Sequence, residues 1–586
     1  MTENFDAIVI GAGQAGPFLT SRLTCAGMSV AFVERKLFGG TCVNTGCTPT
    51  KAMVASARAA HLARRAAEFG VLVAGDVRID MQAVKARKDA IVAASRDGLE
   101  NWLKSMKNCT VYEGHARFES ARTVRVGDHM LTADKIFINV GGRAFVPEMP
   151  GLAEIDYLTN STLLDLDAVP EHLIIVGGSY IGLEFGQMFR RFGSEVTIIE
   201  MGGRLIARED EDVSEAIREI LESEGIDIRL NAKCIGFTKR GAEIVARVDC
   251  EDGDPEVRGG THVLLAVGRV PNTQDLAVEK SGIEIDGRGY ITVNDKLETN
   301  VPGIWALGDC NRRGAFTHTA YNDGEIVAAN LFDDDARRVS DRIQTYALYT
   351  DPPLGRAGMT EAEIRRTGRK ILIGKRPMTR VGRAVEKGET QGFTKIAVDA
   401  ETKEILGAAV LGVGGDEVVH SVLDAMYAKA AYTVIQRAMH IHPTVSELIP
   451  TMLGELEPPG NDESRARQLQ QEPFERSRAE RRARRFAGFY RNRSGGADDR
   501  RPGGNRRSRY GDCPPKTDRI ARRHSDGQTG TPRRSRRAGG VSGVRPRFIH
   551  HRDRIRRRRR HRPDRLTGEQ LRKQRGRKSN DKKCGQ

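Results

Sequence analysis

The chain has 586 residues, nine of them cysteine, and a formal net charge of +16, a length that accommodates several domains of ordinary size. All of the basic surplus lies beyond residue 460 and the residues before it are net acidic, so attraction to nucleic acid can come only from the C-terminal tail. No run of about eighteen or more apolar residues occurs, and the N-terminus, MTENFDAIVIGAG, enters a strand pattern directly, which predicts a cytoplasmic protein with neither a membrane span nor a secretory leader.

The first predicted element is the short apolar strand Asp6 to Ile10. It runs into Gly11-Ala-Gly13-Gln-Ala-Gly16, a helical pattern through Leu19 and Leu23, and a second apolar run, Val30 to Val33, ending in Glu34. This is a dinucleotide fingerprint: glycines make the tight turn and let a pyrophosphate approach a helix N-terminus, and the acid serves the ribose hydroxyls.

Next comes GGTCVNTGCTPTK, Gly39 to Lys51, with Cys42 and Cys47 five positions apart. Nine scattered cysteines do not form a secreted disulfide framework, and in a reducing cytosol a close pair is catalytic or metal-binding more often than structural. On a regular helix residues five apart have Cα atoms roughly 8.6 Å apart, beyond the ~7 Å a disulfide spans. A bridge therefore needs a bent backbone, for which Gly46 supplies torsional freedom while Pro49 sits where a helix can begin. The spacing suits a strained, reducible disulfide. A zinc site would use shorter spacing and two further ligands, and two unrelated buried thiols are the other alternative.

The fingerprint recurs in HLIIVGGSYIGLEFGQMFRRFGSEVTIIE, at Gly177, Gly178 and Gly182, with Glu200 at the same interval from its first glycine as Glu34 from Gly11. Two cradles imply two dinucleotides. Ser179 replaces the middle glycine and puts the phosphate contacts of this copy in doubt. A carboxylate at Glu200 accepts hydrogen bonds from a ribose diol and repels a 2′-phosphate, which favours NADH over NADPH, although Arg204 lies nearby. Strand patterns such as HVLLAV and KIAVDA sit between helical ones such as EVVHSVLDAMYAKAAYTVIQRA, and the coarse order predicts βαβ units with a parallel sheet through about residue 145 and a second such unit at 150–265. After Glu457-Pro-Pro-Gly460 apolar periodicity ends and Arg, Gly, Ser and Pro dominate; such a segment is expected to be disordered.

GGTCVNTGCTPTK, both cradles, LLAVGRVPNT (264–273), VPGIWALGDC (301–310), YTDPPLGRAGMTEAE (349–363) and HIHPTVSELIP (440–450) together resemble the FAD-dependent pyridine nucleotide-disulfide oxidoreductases, the family of glutathione reductase, dihydrolipoamide dehydrogenase and mercuric reductase. The resemblance covers about residues 4–457. It implies an α/β fold with two doubly wound dinucleotide-binding domains and an α+β dimerisation domain: an FAD-binding domain at 1–148, an NAD(P)-binding domain at 149–270, a return to the FAD domain at 271–340, dimerisation at 341–457, and the basic tail at 458–586. It implies that Gly11, Gly13, Gly16, Glu34 and Asp309 hold FAD, that Gly177, Gly178, Gly182 and Glu200 hold the nicotinamide cofactor, and that Tyr180 shields the flavin until that cofactor enters. Lys51 and Glu184 match a pair beside the flavin. Cys47 matches the charge-transfer thiol, Cys42 the interchange thiol, and His442, oriented by Glu447, the base that reaches the disulfide of the other subunit of a homodimer; His440 is a bystander. No metal site is expected, since HIH has no ligand cluster beside it. Electrons would pass from NAD(P)H through FAD and Cys42-Cys47 to a small disulfide. A soft metal ion is the alternative acceptor, disfavoured because no vicinal cysteine pair lies near residue 457. For the tail, nucleic-acid or anionic-surface binding, an inert extension and an out-of-frame extension compete; the last is preferred because the resemblance stops where such enzymes end. A nucleic-acid-binding protein with a vestigial flavin core is the rival from another class.

Overall fold

A computed structural model describes residues 2–249 and 255–460; the tail readings concern residues beyond Gly460 and lie outside the described residues. The strand Thr2–Ile10 ends in the unbroken buried run Ala7 to Ile10, the pattern of a strand covered on both faces. It pairs in parallel with Val30–Glu34 and with His129–Ile138, and Cys109–Glu113 extends the sheet beyond Val30–Glu34. The helix Ala15–Cys25 buries Leu19 and Leu23, four apart on one face, in the core that holds Ile8, Phe32 and Phe137. Ile304–Ala306 joins the far side of His129–Ile138 in parallel, so the chain returns to this first sheet after building the second.

That second sheet has the order Asp227–Arg229, Glu195–Ile199, His172–Val176, His262–Leu265, Tyr157–Leu158, parallel throughout. Gly142–Ala144 on the way out pairs with Arg269–Pro271 on the way back, so the two crossings between the sheets run side by side. A third, antiparallel sheet comprises Thr345–Leu348, Leu354–Gly358, Ile405–Leu411, Phe393–Asp399 and Ile371–Pro377. One face packs on the helix Gly415–Tyr427 and the C-terminal turns through Val422, Ile435 and Met452. The other, through Leu348, Leu354, Phe393 and Leu411, meets Leu183 and Phe189 of the helix Tyr180–Phe192.

Three local expectations change. The first sheet is not parallel throughout, because Ala116–Ser120 and Thr123–Val126 add to His129–Ile138 as an antiparallel meander. The segment between the crossings likewise holds the antiparallel trio Lys233–Arg240, Glu243–Asp249 and Glu256–Gly260. The helical pattern from 417 to 438 is two helices: the first ends at Tyr427, Lys429 takes a left-handed φ of 50°, and a short helix, Thr433–Gln436, follows. Among the described residues no helix is long and apolar enough to cross a membrane.

Candidate active site

The first cradle is built by close approach. Gly11 has φ +108°, and a Cβ there would meet the Asn139 carbonyl oxygen at 2.3 Å; a Cβ on Gly16 would meet the Gly11 carbonyl oxygen at 2.3 Å, and one on Gly13 the Asn139 Nδ2 at 3.2 Å. Asn139 Nδ2 in turn donates to the Gly11 carbonyl at 3.1 Å. Glu34 closes the turn, its carboxylate accepting from the Ala12 and Lys36 N–H groups at 2.7 and 2.8 Å. A cavity of about 1400 Å³ opens from this cradle and is lined by Gly11, Gly13, Glu34, Asp309, Cys42, Cys47, Lys51, Tyr180 and Glu184. It exceeds the ~300–1,000 Å³ of a drug-sized ligand site and, with its side-chain-free floor, fits an extended dinucleotide such as FAD. Burial pushes the Asp309 carboxyl above its ordinary range, against the opposing pull of Arg269, whose Nε lies 3.4 Å away.

The second cradle repeats the construction outside that cavity. A Cβ on Gly177 would meet the Ala266 carbonyl oxygen at 2.5 Å, and one on Gly182 the Gly177 carbonyl oxygen at 2.0 Å. Glu200 accepts from the N–H groups of Gly178 and Gly202 at 2.6 and 2.7 Å, as Glu34 does in the first copy. Ser179 takes an extended conformation before the helix Tyr180–Phe192, without a side-chain capping bond. Arg204 donates to the Ala207 carbonyl.

Between the cradles the chain forms the helix Gly40–Thr45, breaks at Gly46, and starts the helix Cys47–Arg65. Gly46 has φ −137°, outside the left-handed region; a Cβ there would lie 2.8 Å from the Thr41 carbonyl oxygen, so crowding joins torsional freedom as a reason for the glycine. Asn160, from the second sheet's layer, donates to the Thr45 carbonyl at 2.8 Å and holds the break. Cys42 and Cys47 are both free thiols, and they are unequal. Cys47 is lowered to about 6, first by the hydrogen bond from Cys42 and then, against burial, by Thr317 and the Lys51 cation; its Sγ lies 3.1 Å from Thr317 Oγ1. Cys42 is pushed well above the ordinary thiol range, because its proton makes that hydrogen bond and because it is half-buried. The pair is one thiolate and one held thiol.

Lys51, one helical turn beyond Cys47, pairs with Glu184 at 2.6 Å and lies 4.5 Å from the centroid of the Tyr349 ring. The other Glu184 oxygen accepts from the Tyr349 N–H at 3.0 Å. Tyr180 begins its helix with its ring 5.4 Å from Phe316 and 6.2 Å from Tyr346. His442 Nδ1 lies 2.7 Å from Glu447 Oε2, but the His442 side chain is 82 % exposed and does not line the cavity of its own protomer; beside it Met439 and Ile441 are 98 % and 78 % exposed. His440 is bonded to the Ser446 carbonyl. Among the described residues no group of three or more His, Cys, Asp and Glu side chains is placed to hold a metal ion. Thr317, Asn139 and Asn160 were missed in the sequence: each is an ordinary polar residue brought to the site from a distant element, with no local signal.

Residues 5–324 match the family model for pyridine nucleotide-disulphide oxidoreductases and residues 345–453 that for the dimerisation domain of the same enzymes. The chain is 35 % identical over 453 residues to the probable pyridine nucleotide-disulfide oxidoreductase RclA of Escherichia coli, covering 76 % of this chain and 98 % of the relative. It is 32 % identical to the dihydrolipoyl dehydrogenase of Thermus scotoductus, covering 76 % and 96 %, and 32 % identical to the mercuric reductase of Streptomyces lividans, covering 76 % and 94 %. Among solved structures it is similar to the Cu(II) complex of the HOCl-induced flavoprotein disulfide reductase RclA from Escherichia coli, with a TM-score of 0.71 at 33 % identity over 78 % of this chain and 100 % of that one.

Proposed function

The chain belongs to the pyridine nucleotide-disulphide oxidoreductase family and is an FAD-dependent flavoprotein disulphide reductase with a redox-active Cys42-Cys47 pair and a domain that implies a homodimer; from this premise we propose that it passes electrons from NADH to a small-molecule disulphide. FAD, when bound, supplies the two-electron relay between the pyridine nucleotide and Cys42-Cys47. Gly11, Gly13, Gly16, Glu34 and Asp309 hold it. Gly177, Gly178, Gly182 and Glu200 hold the nicotinamide cofactor, with Tyr180 as the ring displaced on entry. The domains follow as 1–148 and 271–340 for FAD, 149–270 for NAD(H) and 341–457 for the dimer.

The observation that carries this reading is the placement of the two cysteines on either side of the Gly46 break, with Cys47 Sγ 3.1 Å from Thr317 Oγ1 and one helical turn before Lys51, which pairs with Glu184 at 2.6 Å. Cys47, near 6, is a thiolate at neutral pH beside the Lys51 cation and would be the thiol that receives electrons from FAD. Cys42 holds its proton and needs a base, a role for His442 of the partner subunit, kept in one tautomer by Glu447. The Cys42 thiolate attacks one sulfur of the substrate; the other leaves with its electron pair and takes the proton from the imidazolium. Cys47 then attacks Cys42, the second substrate sulfur departs as a thiolate, and the Cys42-Cys47 bond re-forms. That thiolate takes its proton from solvent, so the substrate has gained two electrons and two protons, one proton from Cys42 and one from water. NADH is favoured because Glu200 sets one carboxylate oxygen on the Gly178 N–H at the start of the second cradle and the other on the Gly202 N–H, a negative charge that would repel a 2′-phosphate.

Metal-ion reduction is the second reading, supported by the likeness to an RclA solved as a Cu(II) complex; the soft donors would be the two thiols themselves. Anaerobic turnover of NADH by purified holoenzyme with lipoamide, a glutathione-type disulphide, Cu(II) and Hg(II) tests both. Disulphide turnover that vanishes in Cys42→Ala supports the first reading. Turnover confined to the metal ions rejects it.

A further inference from the structure

Two tyrosine hydroxyls beside the cavity are tied to consecutive residues of one loop. Arg208 Nη1 donates to the Tyr180 hydroxyl at 3.2 Å, and the Tyr346 hydroxyl donates to Glu209. Their rings lie 6.2 Å apart, and Phe316 stacks on Tyr346 at 5.5 Å and meets Tyr180 at 5.4 Å. The two tethers differ in permanence. Glu209 is buried and clamped by Arg356, whose Nε lies 3.1 Å from Oε1 and whose other arm also reaches Asp210, so Tyr346 and Phe316 form a fixed floor. Arg208 is exposed, and what it holds is a neutral hydroxyl.

The same loop lies on the second cradle. The Ile206 N–H donates to the Gly178 carbonyl at 2.9 Å, and Leu205 fills the space a side chain on Gly178 would need. Arg208 therefore links the loop that packs on Gly178, one of the glycines that would carry a dinucleotide's pyrophosphate, to the Tyr180 ring. We propose that Arg208 is a positioning residue that exchanges partners: in the free enzyme it holds Tyr180 against Phe316, and the pyrophosphate of the incoming pyridine dinucleotide draws it away and frees the ring. This rests on the reading of 177–182 as the dinucleotide cradle and of Tyr180 as the flavin shield. The exchange is favourable because a guanidinium binds a phosphate by paired, charge-assisted hydrogen bonds, stronger than its bond to a neutral phenol. It couples binding to opening because only the open state leaves Arg208 free.

The test uses the FAD-loaded dimer and quenching of flavin fluorescence by a neutral nitroxide, with adenosine diphosphate ribose as the probe, since it carries the pyrophosphate and lacks the nicotinamide. In the wild type the probe should increase quenching several-fold. Arg208→Ala should be quenched to that raised level without the probe and show no response to it, with KM for NADH rising on the order of tenfold, the scale of one hydrogen bond to a charged group; Arg208→Lys should recover part of the response. A wild type whose quenching is indifferent to the bound probe, or an Arg208→Ala enzyme that responds as the wild type does, overturns the proposal. Tyr180→Ala separates the two levels. If it is quenched no more than the wild type, Tyr180 does not shield the flavin; if it is quenched more while Arg208→Ala is not, the shield stands and the tether is wrong.

Discussion

Replacing Cys42 by alanine removes the donor that contributes most to the low value of Cys47, and the size of the change follows from the site. With Cys47 near 6, about nine-tenths of it is thiolate at pH 7, against roughly 3 % for an ordinary thiol at ~8.5. Thr317 and Lys51 continue to pull downward and burial to oppose them, so the midpoint should rise by about one to two pH units, the scale of one charge-assisted hydrogen bond. The thiolate fraction at pH 7 then falls to between ~0.1 and ~0.5. Cys42→Ser keeps a hydroxyl donor and should titrate below Cys42→Ala. The assay is the pH dependence of the long-wavelength thiolate-flavin absorbance of each holoenzyme, visible without reductant because Cys47 has no disulphide partner, checked by the alkylation rate of Cys47. Cys47→Ser should retain FAD and show no such band after reduction. Equal midpoints in Cys42→Ala and Cys42→Ser would refute the hydrogen bond as the cause, and a band surviving in Cys47→Ser would reverse the assignment of the two thiols.

His442→Ala should slow disulphide turnover by about two to four orders of magnitude, the range of a general acid-base group, and leave flavin reduction by NADH nearly unchanged in stopped flow; equal losses in both half-reactions would mean that His442 only maintains the site. Glu200→Ala should narrow the preference for NADH over NADPH by roughly 1–3 kcal/mol in kcat/KM, and a wild type that prefers NADPH would contradict the role given to its carboxylate. Arg191 is 5 % exposed and paired with Glu224 and Asp351 at 2.7 and 2.6 Å. Arg191→Met should therefore cost about 3 kcal/mol in denaturant unfolding, because it leaves the half-buried Glu224 without its cation while Asp351 keeps Arg58; a loss below about 1 kcal/mol would show that Glu224 reaches water.

Features encoded by short-range collision were legible in the sequence. Gly11 and Gly16 are spaced as they are because a side chain on either would strike backbone within 2.3 Å, and Glu34 and Glu200 share one interval because each closes the turn at its own cradle. The approach of Glu184 to Lys51 across 133 positions was reached through resemblance, since no local pattern marks it. Thr317 gave no signal: it is the first residue of a helix that packs mainly on Ala15–Cys25, and its hydroxyl meets Cys47 across 270 positions. The antiparallel pairing of the strands from Ala116 to Val126 departs from the expected parallel unit because alternating strand patterns do not reveal pairing direction. The continuous pattern from 417 to 438 hid the turn at Lys429, where neither glycine nor proline announces the left-handed residue.

The central claim, that electrons from the pyridine nucleotide pass through bound FAD to Cys42-Cys47, is tested most directly by anaerobic differential alkylation of the oxidised holoenzyme before and after one equivalent of NADH per flavin, read by peptide mass spectrometry. The account predicts that Cys42 and Cys47 resist the alkylating reagent as a disulphide beforehand and react together afterwards. Cys310, fully buried, and Cys109, pushed up by burial to about 11, should not change. Flavin that bleaches while Cys42 and Cys47 remain joined would contradict it.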